Sequence, residues 1–406
     1  MGVTIRSITA DEVRAFLRAT ELTYGYDIEN EGRIERFASL FEPDRSQAAF
    51  DGDAIVGTLG TFSLEMTVPG GTMPCAGTTI VSVLPTHRRR GILRSLIDAH
   101  FQEIRQREEP IAALWSADSA IYGRFGYGCA AEGVDVTVSR QHNSLHRLGP
   151  APAPVRIVTA DEARRLLPAI FDQARAEYPG FLRRSEAWWT NRRFHDEPAS
   201  REGATAFRYA VAESGGEARG YVQYRFKENW SGGHGKGEVR VRELIGTDPA
   251  SWAGLWSLVL NHDLTARIVA TLRSADDPLF ELLEGPRRAR KRPSDSLWVR
   301  IMEPKSALAG RSYSDVVRTV IDVHDPLDAT TSTWRLDLDR DGAEVAPTSE
   351  SADVSMDLED LGACFMGWSR FRTLSRAGRV SGADQAIAAL DRAFSWSPGP
   401  WCPEVF

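Results

Sequence analysis

Cysteine is scarce in this sequence: four in 406 residues (Cys75, Cys129, Cys364 and Cys402), far apart and never at C-x-x-C spacing. Neither a disulfide framework nor a zinc or other metal site is expected, and a reducing cytoplasm is the default compartment. Long apolar runs are also missing. Nothing approaches the roughly 18 residues that a membrane span requires, and the opening Met1-Gly2-Val3-Thr4-Ile5-Arg6 has no signal-peptide core, so a chain that is neither exported nor membrane-bound is expected. Positive charge is in deficit: 49 Lys and Arg against 56 Asp and Glu leave a formal −7. That disfavours a general nucleic-acid binder, whose phosphate contacts need a basic surface. Several catalytic signatures are absent as well, including His-Glu-x-x-His and Gly-x-Ser-x-Gly. Gly232-Gly233-His234-Gly235-Lys236-Gly237 lacks the spacing and the Ser/Thr of a P-loop and reads as a hairpin tip.

What the chain does have is the means to build cores. Hydrophobic residues make up 42% of it, with 11 Trp and 17 Phe, and its length corresponds to two or three domains of roughly 150 residues each. An internal repeat is visible at two of the expected domain starts. Ile5-Arg6-Ser7-Ile8-Thr9-Ala10-Asp11-Glu12 is matched 150 positions later by Val155-Arg156-Ile157-Val158-Thr159-Ala160-Asp161-Glu162. Each copy reads as a strand, a Thr cap, acidic first-turn residues and an amphipathic helix. Leu148 to Pro154, rich in Pro and Ala, suits a linker before the second copy. Turn-then-strand signals follow both copies, at Asp51 to Gly60 and at Ser214 to Arg225. Gly285 to Pro293 marks another boundary, after which Ser/Asp-rich strands lead into an Ala- and Leu-rich helix. Three domains are expected, over 1–150, 151–295 and 296–406.

The stretch most suggestive of chemistry runs from Thr79 to Phe101. A β-branched strand ends at Pro85, a loop carrying Arg88, Arg89, Arg90 and Gly91 follows, and an amphipathic helix begins near Gly91. The N-terminus of a helix has free N–H groups and a partial positive charge, so this arrangement is suited to an anion; a solvated basic loop is the plainer alternative. The corresponding stretch of the second copy, Val241 to Leu255, keeps a strand but no such loop, and Asp248 there would repel phosphate.

Val-x-Val-x-Pro-x-x-Arg-Arg-x-Gly-Ile, from Val81 to Ile92, resembles the coenzyme A signature of the GNAT acetyltransferase superfamily, although Leu93 stands where a small residue is usual. Together with Ile121-Tyr122-Gly123-Arg124-Phe125-Gly126-Tyr127-Gly128 and the ending Pro400-Trp401-Cys402-Pro403-Glu404-Val405-Phe406, it is similar to the enhanced-intracellular-survival (Eis) acetyltransferases of actinobacteria. The resemblance implies an α/β (α+β) chain: two tandem GNAT-like mixed-sheet domains, the second degenerate, then a sterol-carrier-protein-like domain whose C-terminus enters the active site. It implies acetyl-CoA as acetyl donor, bound through Val81, Val83, Arg88, Arg89, Gly91, Ile92, Leu93, Ser119 and Tyr122.

Tyr127 matches the family's general acid, and its plain alternative is a packed core tyrosine. The family's base is the terminal carboxylate, here that of Phe406. An α-carboxyl of pKa about 3.5 needs desolvation or a relaying water for that role. The implied acceptor is an aminoglycoside-like polyamine, held by Asp27, Trp401 and Glu404. Glu29 and Glu31 are further acidic candidates, with a solvated acidic face as the plain alternative for them and for Asp27; Tyr24 and Tyr26 could line the same pocket or equally pack in the core. Acceptance by a protein or peptide lysine is a rival, as is a lipid carrier with a vestigial acetyltransferase part. No nucleic-acid or membrane partner is expected, and the resemblance implies a homo-hexamer. Cys402 is expected only to line the site, because direct transfer needs no acyl-enzyme.

Overall fold

A computed structural model describes residues 2–25, 31–146, 149–340 and 342–406, apart from the side chains of Glu31 and Arg33. The first copy of the repeat forms β1 (Thr4–Ser7) and α1 (Val13–Tyr24), followed by α2 (Glu31–Ala38), β2 (Gln47–Asp51), β3 (Ala54–Val68), β4 (Gly71–Val83), α3 (Ile92–Gln106), β5 (Ile111–Trp115), α4 (Ser119–Tyr122) and β6 (Gly128–Ser139). The second copy forms β7 (Val155–Val158) and α5 (Ala160–Arg175). After them come α6 (Glu186–Trp188), β8 (Arg208–Ser214), β9 (Glu217–Lys227), the small hairpin β10 (Trp230–Ser231) and β11 (His234–Gly235), and β12 (Gly237–Gly246). α7 (Pro249–Leu260), β13 (Thr265–Ser274), α8 (Leu279–Leu282) and β14 (Arg290–Ile301) complete this part.

The repeat extends to individual bonds. Glu12 accepts from the Thr9 N–H at 2.9 Å and pairs with Arg6. Glu162 accepts from the Thr159 N–H at 3.5 Å and pairs with Arg156 at 2.7 Å. In both copies the acid three residues into the helix ties the helix start back to its strand.

Twelve strands form one sheet, in the order β1-β2-β3-β4-β5-β14-β6-β13-β12-β9-β8-β7. Its centre shows an exchange. β6, which ends the first stretch of chain, pairs with β13 from Arg267–Ser139 to Ser274–Gly133, whereas β14 pairs with β5 from Leu297–Trp115 to Ile301–Ile111. Each GNAT-like half therefore completes its sheet with a strand from the other half's chain segment. The division expected between 295 and 296 falls inside β14.

The expected linker before the second copy is docked rather than loose. Ala153 donates its N–H to the Ala250 carbonyl at 2.9 Å, and a Cβ on Gly254 would lie 2.5 Å from the Ala153 oxygen.

The third part opens with α9 (Pro304–Ala309), then β15 (Val317–Asp325), β16 (Thr330–Leu338), β17 (Ala343–Pro347) and β18 (Val354–Asp357). α10 (Leu358–Cys364), α11 (Phe371–Arg376), β19 (Ser381–Gly382) and α12 (Asp384–Phe394) follow. Its five strands are ordered β17-β16-β15-β18-β19. Leu336, Leu338, Val345, Leu361, Phe365 and Leu390 fill its interior. It is pressed against the large sheet through two glycines. A Cβ on Gly128 would lie 1.9 Å from the Glu359 carbonyl oxygen, and one on Gly362 would lie 2.3 Å from that of Val299. α10 thus sits directly on β6 and β14, beside Tyr127.

Candidate active site

β4 runs parallel to β5 from Cys75–Ile111 to Thr78–Leu114, and there the pairing ends. β4 continues to Val83, but its register against β3 shifts between Thr58 and Gly60, and Ile80 adopts φ 49°. A β-branched residue in the left-handed region is strained and persists only where its surroundings hold it. Here the Thr58 hydroxyl binds the Ile80 carbonyl at 2.9 Å and the Ser82 hydroxyl at 2.7 Å. The bulge lies where β4 has left β5, and a cavity of about 800 Å³ adjoins it, lined by Val81 to Val83 and by Ala117 and Asp118 just after β5.

Val81, Val83, Arg88, Arg89, Gly91, Ile92, Leu93 and Tyr122 all line that cavity. Of the residues expected to hold the donor, Ser119 is absent from the lining and exposed, on the first turn of α4. Gly91 is required for its φ of 80° at the start of α3 rather than for closeness, since a Cβ there meets nothing within 4 Å. Arg90 faces away, toward Asp51 at 3.8 Å. The strand edge, the free helix start and two guanidiniums form a cradle that fits a diphosphate and its extended arm.

Sequence reasoning missed other parts of this wall. Tyr24, a candidate for the acceptor pocket or for core packing, donates its hydroxyl to the Val81 carbonyl at 2.9 Å and lines the cofactor cavity. Pro326 and Leu327 also line the cavity, from the third domain's β15–β16 turn. Their remoteness in sequence leaves no local signal.

Tyr127 is fully buried, and its hydroxyl lies 3.0 Å from that of Thr78, the last residue of β4 paired with β5. Thr78 reaches His100 Nε2 at 2.8 Å, and His100 Nδ1 reaches Thr61 at 3.1 Å. Burial pushes the Tyr127 phenol well above its usual value, so it is a proton donor at neutral pH. Burial, with the Arg45 charge, pushes His100 down to about 3, leaving a neutral imidazole.

Phe406 arrives over Gly77, on the face of β4 opposite to the Thr78 side chain. Its ring lies 3.4 Å from where Gly77 would carry a Cβ, and it is buried in the first domain's core. Cys402 is buried in the same core, and burial pushes its thiol up to about 12.

The acceptor side differs from expectation. Trp401 does not line an open pocket. It is 1% exposed in the second domain's core, donating Nε1–H to the Leu272 carbonyl at 2.7 Å, with its ring 5.0 Å from that of Phe181. Glu404 is also withdrawn from solvent, paired with Arg184 and accepting from Trp188 Nε1 at 3.1 Å. Arg184 and Arg193 bridge it to Glu243, which Tyr221 also contacts. Burial opposes the charge on Glu404, but Arg184 and Arg193 override it and hold the carboxyl below its usual range. A carboxylate bound in this way is unavailable to a diffusing amine. Asp27, Tyr26 and Glu29 lie outside the described residues, as does the Glu31 side chain.

These tail residues occupy the second domain's own strand gap. β12 and β13 run parallel to Val241–Ala270 and then part. Just beyond, Leu272 receives Trp401, while Glu243 receives Arg184 and through it Glu404. At the start of α7, Asp248 accepts the Ser251 N–H at 2.7 Å, so a carboxylate stands where the first domain presents free N–H groups.

Comparison with known proteins agrees with this geometry. Two family models for an acetyltransferase (GNAT) domain match residues 4–130 and 180–301, and a sterol carrier protein domain model matches 304–403. An uncharacterised N-acetyltransferase of Streptomyces avermitilis is 35% identical over 412 residues, covering all of both chains. The N-acetyltransferase Eis of Mycobacterium tuberculosis is 32% identical over 354 residues, spanning 85% of this chain and 84% of its own. The crystal structure of Eis1 from Mycobacterium abscessus superposes with a TM-score of 0.85 at 27% identity, covering 99% of this chain and 100% of that one. The chain belongs to the Eis-like GNAT N-acetyltransferases, built as two GNAT domains followed by a sterol-carrier-protein-like domain.

Proposed function

We propose that the chain moves the acetyl group of acetyl-CoA onto a primary amine by direct attack, with Tyr127 as general acid and the Phe406 carboxylate as base. The observation that carries this reading is that β4, at the point where it leaves β5, meets Tyr127 through Thr78 on one face and the Phe406 ring over Gly77 on the other. Val81 and Val83 hold the donor's extended arm, and Arg88, Arg89 and the start of α3 hold its phosphates. The Phe406 carboxylate accepts the amine's proton directly or through a water, a role that needs it desolvated. As the new C–N bond forms, a backbone N–H around Val83 stabilises the carbonyl oxygen. As the C–S bond breaks, Tyr127 passes its proton to the departing sulfur.

The second GNAT domain serves as support, its strand gap filled by the chain's own tail. The acceptor is an amine, and the class implied by the resemblance to Eis is an aminoglycoside-like polyamine. A peptide lysine uses the same chemistry. The resemblance also implies a hexamer built as a trimer of dimers, in the cytoplasm. Thiol release from acetyl-CoA, measured with an aminoglycoside, with a lysine peptide and with no acceptor, tests the reading. Release that no amine stimulates would overturn it.

A further inference from the structure

The strand gap of the first domain adjoins an open cavity, whereas that of the second is filled by the chain's own end. Leu272, just past the point where β13 leaves β12, stands outside the β13–β6 ladder at φ 54°, and its carbonyl receives Trp401 Nε1–H at 2.7 Å. Gly399 donates its N–H to Asp276 at 2.9 Å, and Trp401 donates its own to the Pro179 carbonyl at 2.8 Å. Gly180 admits the Trp401 backbone, since a Cβ there would lie 3.0 Å from the Trp401 oxygen. The Arg273 guanidinium lies 4.7 Å above the Trp401 ring. Three residues later Glu404 pairs with Arg184 and accepts from Trp188 Nε1 at 3.1 Å, and Arg192 donates to the Val405 carbonyl. An aromatic anchor, an acid latch and main-chain bonds on one short segment are the means by which a domain holds a peptide.

The loop that grips the tail is also tied to the first domain. Gly180 donates to the Thr67 carbonyl at 2.8 Å, Thr67 donates to that of Phe181 at 2.8 Å, and Arg183 donates to that of Glu65 at 2.9 Å. Thr67 and Glu65 belong to β3, which pairs Phe62 with Gly77 on β4. The grip is thus locked to the same sheet over which the Phe406 ring stands, 3.4 Å from the Cβ position of Gly77. Glu404 and Phe406 are two positions apart, which limits their separation to about 7 Å. Holding Glu404 therefore confines the terminal carboxylate.

We infer that the second GNAT domain is a receptor for a peptide, the chain's own residues 399–406, and that Trp401 and Glu404 are positioning residues that set where the Phe406 carboxylate stands. The inference rests on the carboxylate-base reading above and gives the second domain a part in the chemistry. Its strand gap takes the tail in place of a donor, and the domain acts at the first domain's reaction centre through the residue it delivers.

Double-mutant cycles on the full chain test it. Trp401→Phe keeps an aromatic ring and removes the Nε1–H, and Glu404→Gln keeps the shape and removes the charge. Rates are taken per acetyl-CoA site titrated by calorimetry, so unfolded protein does not count. Each substitution should lower kcat about 10- to 100-fold with KM for acetyl-CoA unchanged. In a chain extended by one glycine past Phe406 the carboxylate is already displaced, and the same substitution should change kcat less than about twofold. A purely structural role multiplies the two losses instead. Should Glu404→Gln not fold, Trp401→Phe completes the cycle alone.

Multiplied losses, or an unchanged kcat in the folded variants, overturn the inference and leave the base reading standing. Wild-type turnover by the extended chain removes the base reading, and the positioning role with it. The receptor is then judged by hydrogen exchange of the tail amides. Exchange at least about tenfold faster in Trp401→Phe, with β5 unchanged, retains the receptor, and equal exchange removes it.

Discussion

The hydroxyls of Tyr127 and Thr78 meet at 3.0 Å on the last residue that β4 shares with β5. The phenol is thereby fixed at the apex of the strand gap. It is reached through a tight turn in which Gly126 takes φ 73° and Gly128 gives way to α10. Tyr127 is fully buried behind the cavity wall that Tyr122 and Phe125 form, and the proposed role of its hydroxyl as proton donor is open to direct test.

Tyr127→Phe keeps the ring and removes only the donor. A fall in kcat of about 10²- to 10³-fold is expected, with KM for acetyl-CoA unchanged. Stopped-time thiol assays over a range of acetyl-CoA concentrations separate the two. A loss confined to KM would reassign Tyr127 to binding.

The pH profile follows from the same burial. The protonated phenol is the working form, and its pKa is raised, so Tyr127 stays competent through the range where an ordinary tyrosine ionises near 10. No alkaline fall in kcat from this group is expected up to about pH 10. An alkaline limb near pH 9 that disappears in Tyr127→Phe would count against this assignment.

Extending the chain by one glycine beyond Phe406 moves the terminal carboxylate off its place. Activity should drop steeply while acetyl-CoA binding, followed by calorimetry, is retained, because no tail residue lines the donor cavity. Wild-type turnover by the extended chain would remove the carboxylate from the mechanism.

Acid stability reports on the buried ion group. Burial disfavours the charge on Glu243, but Arg184 and Arg193 hold its carboxyl down to about 2. A depressed carboxyl stabilises the fold fully above its unfolded value of about 4.3, and that contribution is lost as pH falls toward the folded value. Thermal midpoints should therefore fall between about pH 4.3 and 2. Glu404→Gln leaves arginine charge uncompensated and should cost about 3–5 kcal/mol at pH 7, read by denaturant titration.

The third domain's turn forms part of the cavity wall. Leu327 lines the cavity, and its neighbours tie the turn down: Asp325 pairs with Arg300, and Asp328 lies 3.4 Å from Arg94. Leu327→Asp puts a carboxylate beside the donor's phosphates and should raise KM for acetyl-CoA about tenfold or more, with acceptor KM unchanged. Equal changes in both constants would point to a general distortion instead.

Much of this site was legible because its signals are local. Thr9 with Glu12 and Thr159 with Glu162 mark two helix starts, and the run from Val81 to Leu93 spells a strand, a basic turn and a helix. The rest depends on partners distant in sequence. Nothing around Glu404 shows that Arg184, 220 positions earlier, neutralises it. Trp401 reads from sequence as a wall of the acceptor pocket, and only Leu272 and Phe181, placed around it, show that it is a core residue. The exchange of β6 and β14 is hidden for a different reason. Both are long, half-apolar strands, and alternation along a strand says which face is buried but not which neighbour it pairs with.

That exchange also governs how the protein can be made. β14 begins 175 positions after β5 ends, residue 290 against residue 115. At about 5–20 residues per second on the ribosome, the first GNAT half waits roughly 9–35 s with the edge of β5 unpaired. An open edge invites association with other chains. The nascent first half therefore has a defined window of vulnerability, and a fragment ending near residue 150 remains in it permanently.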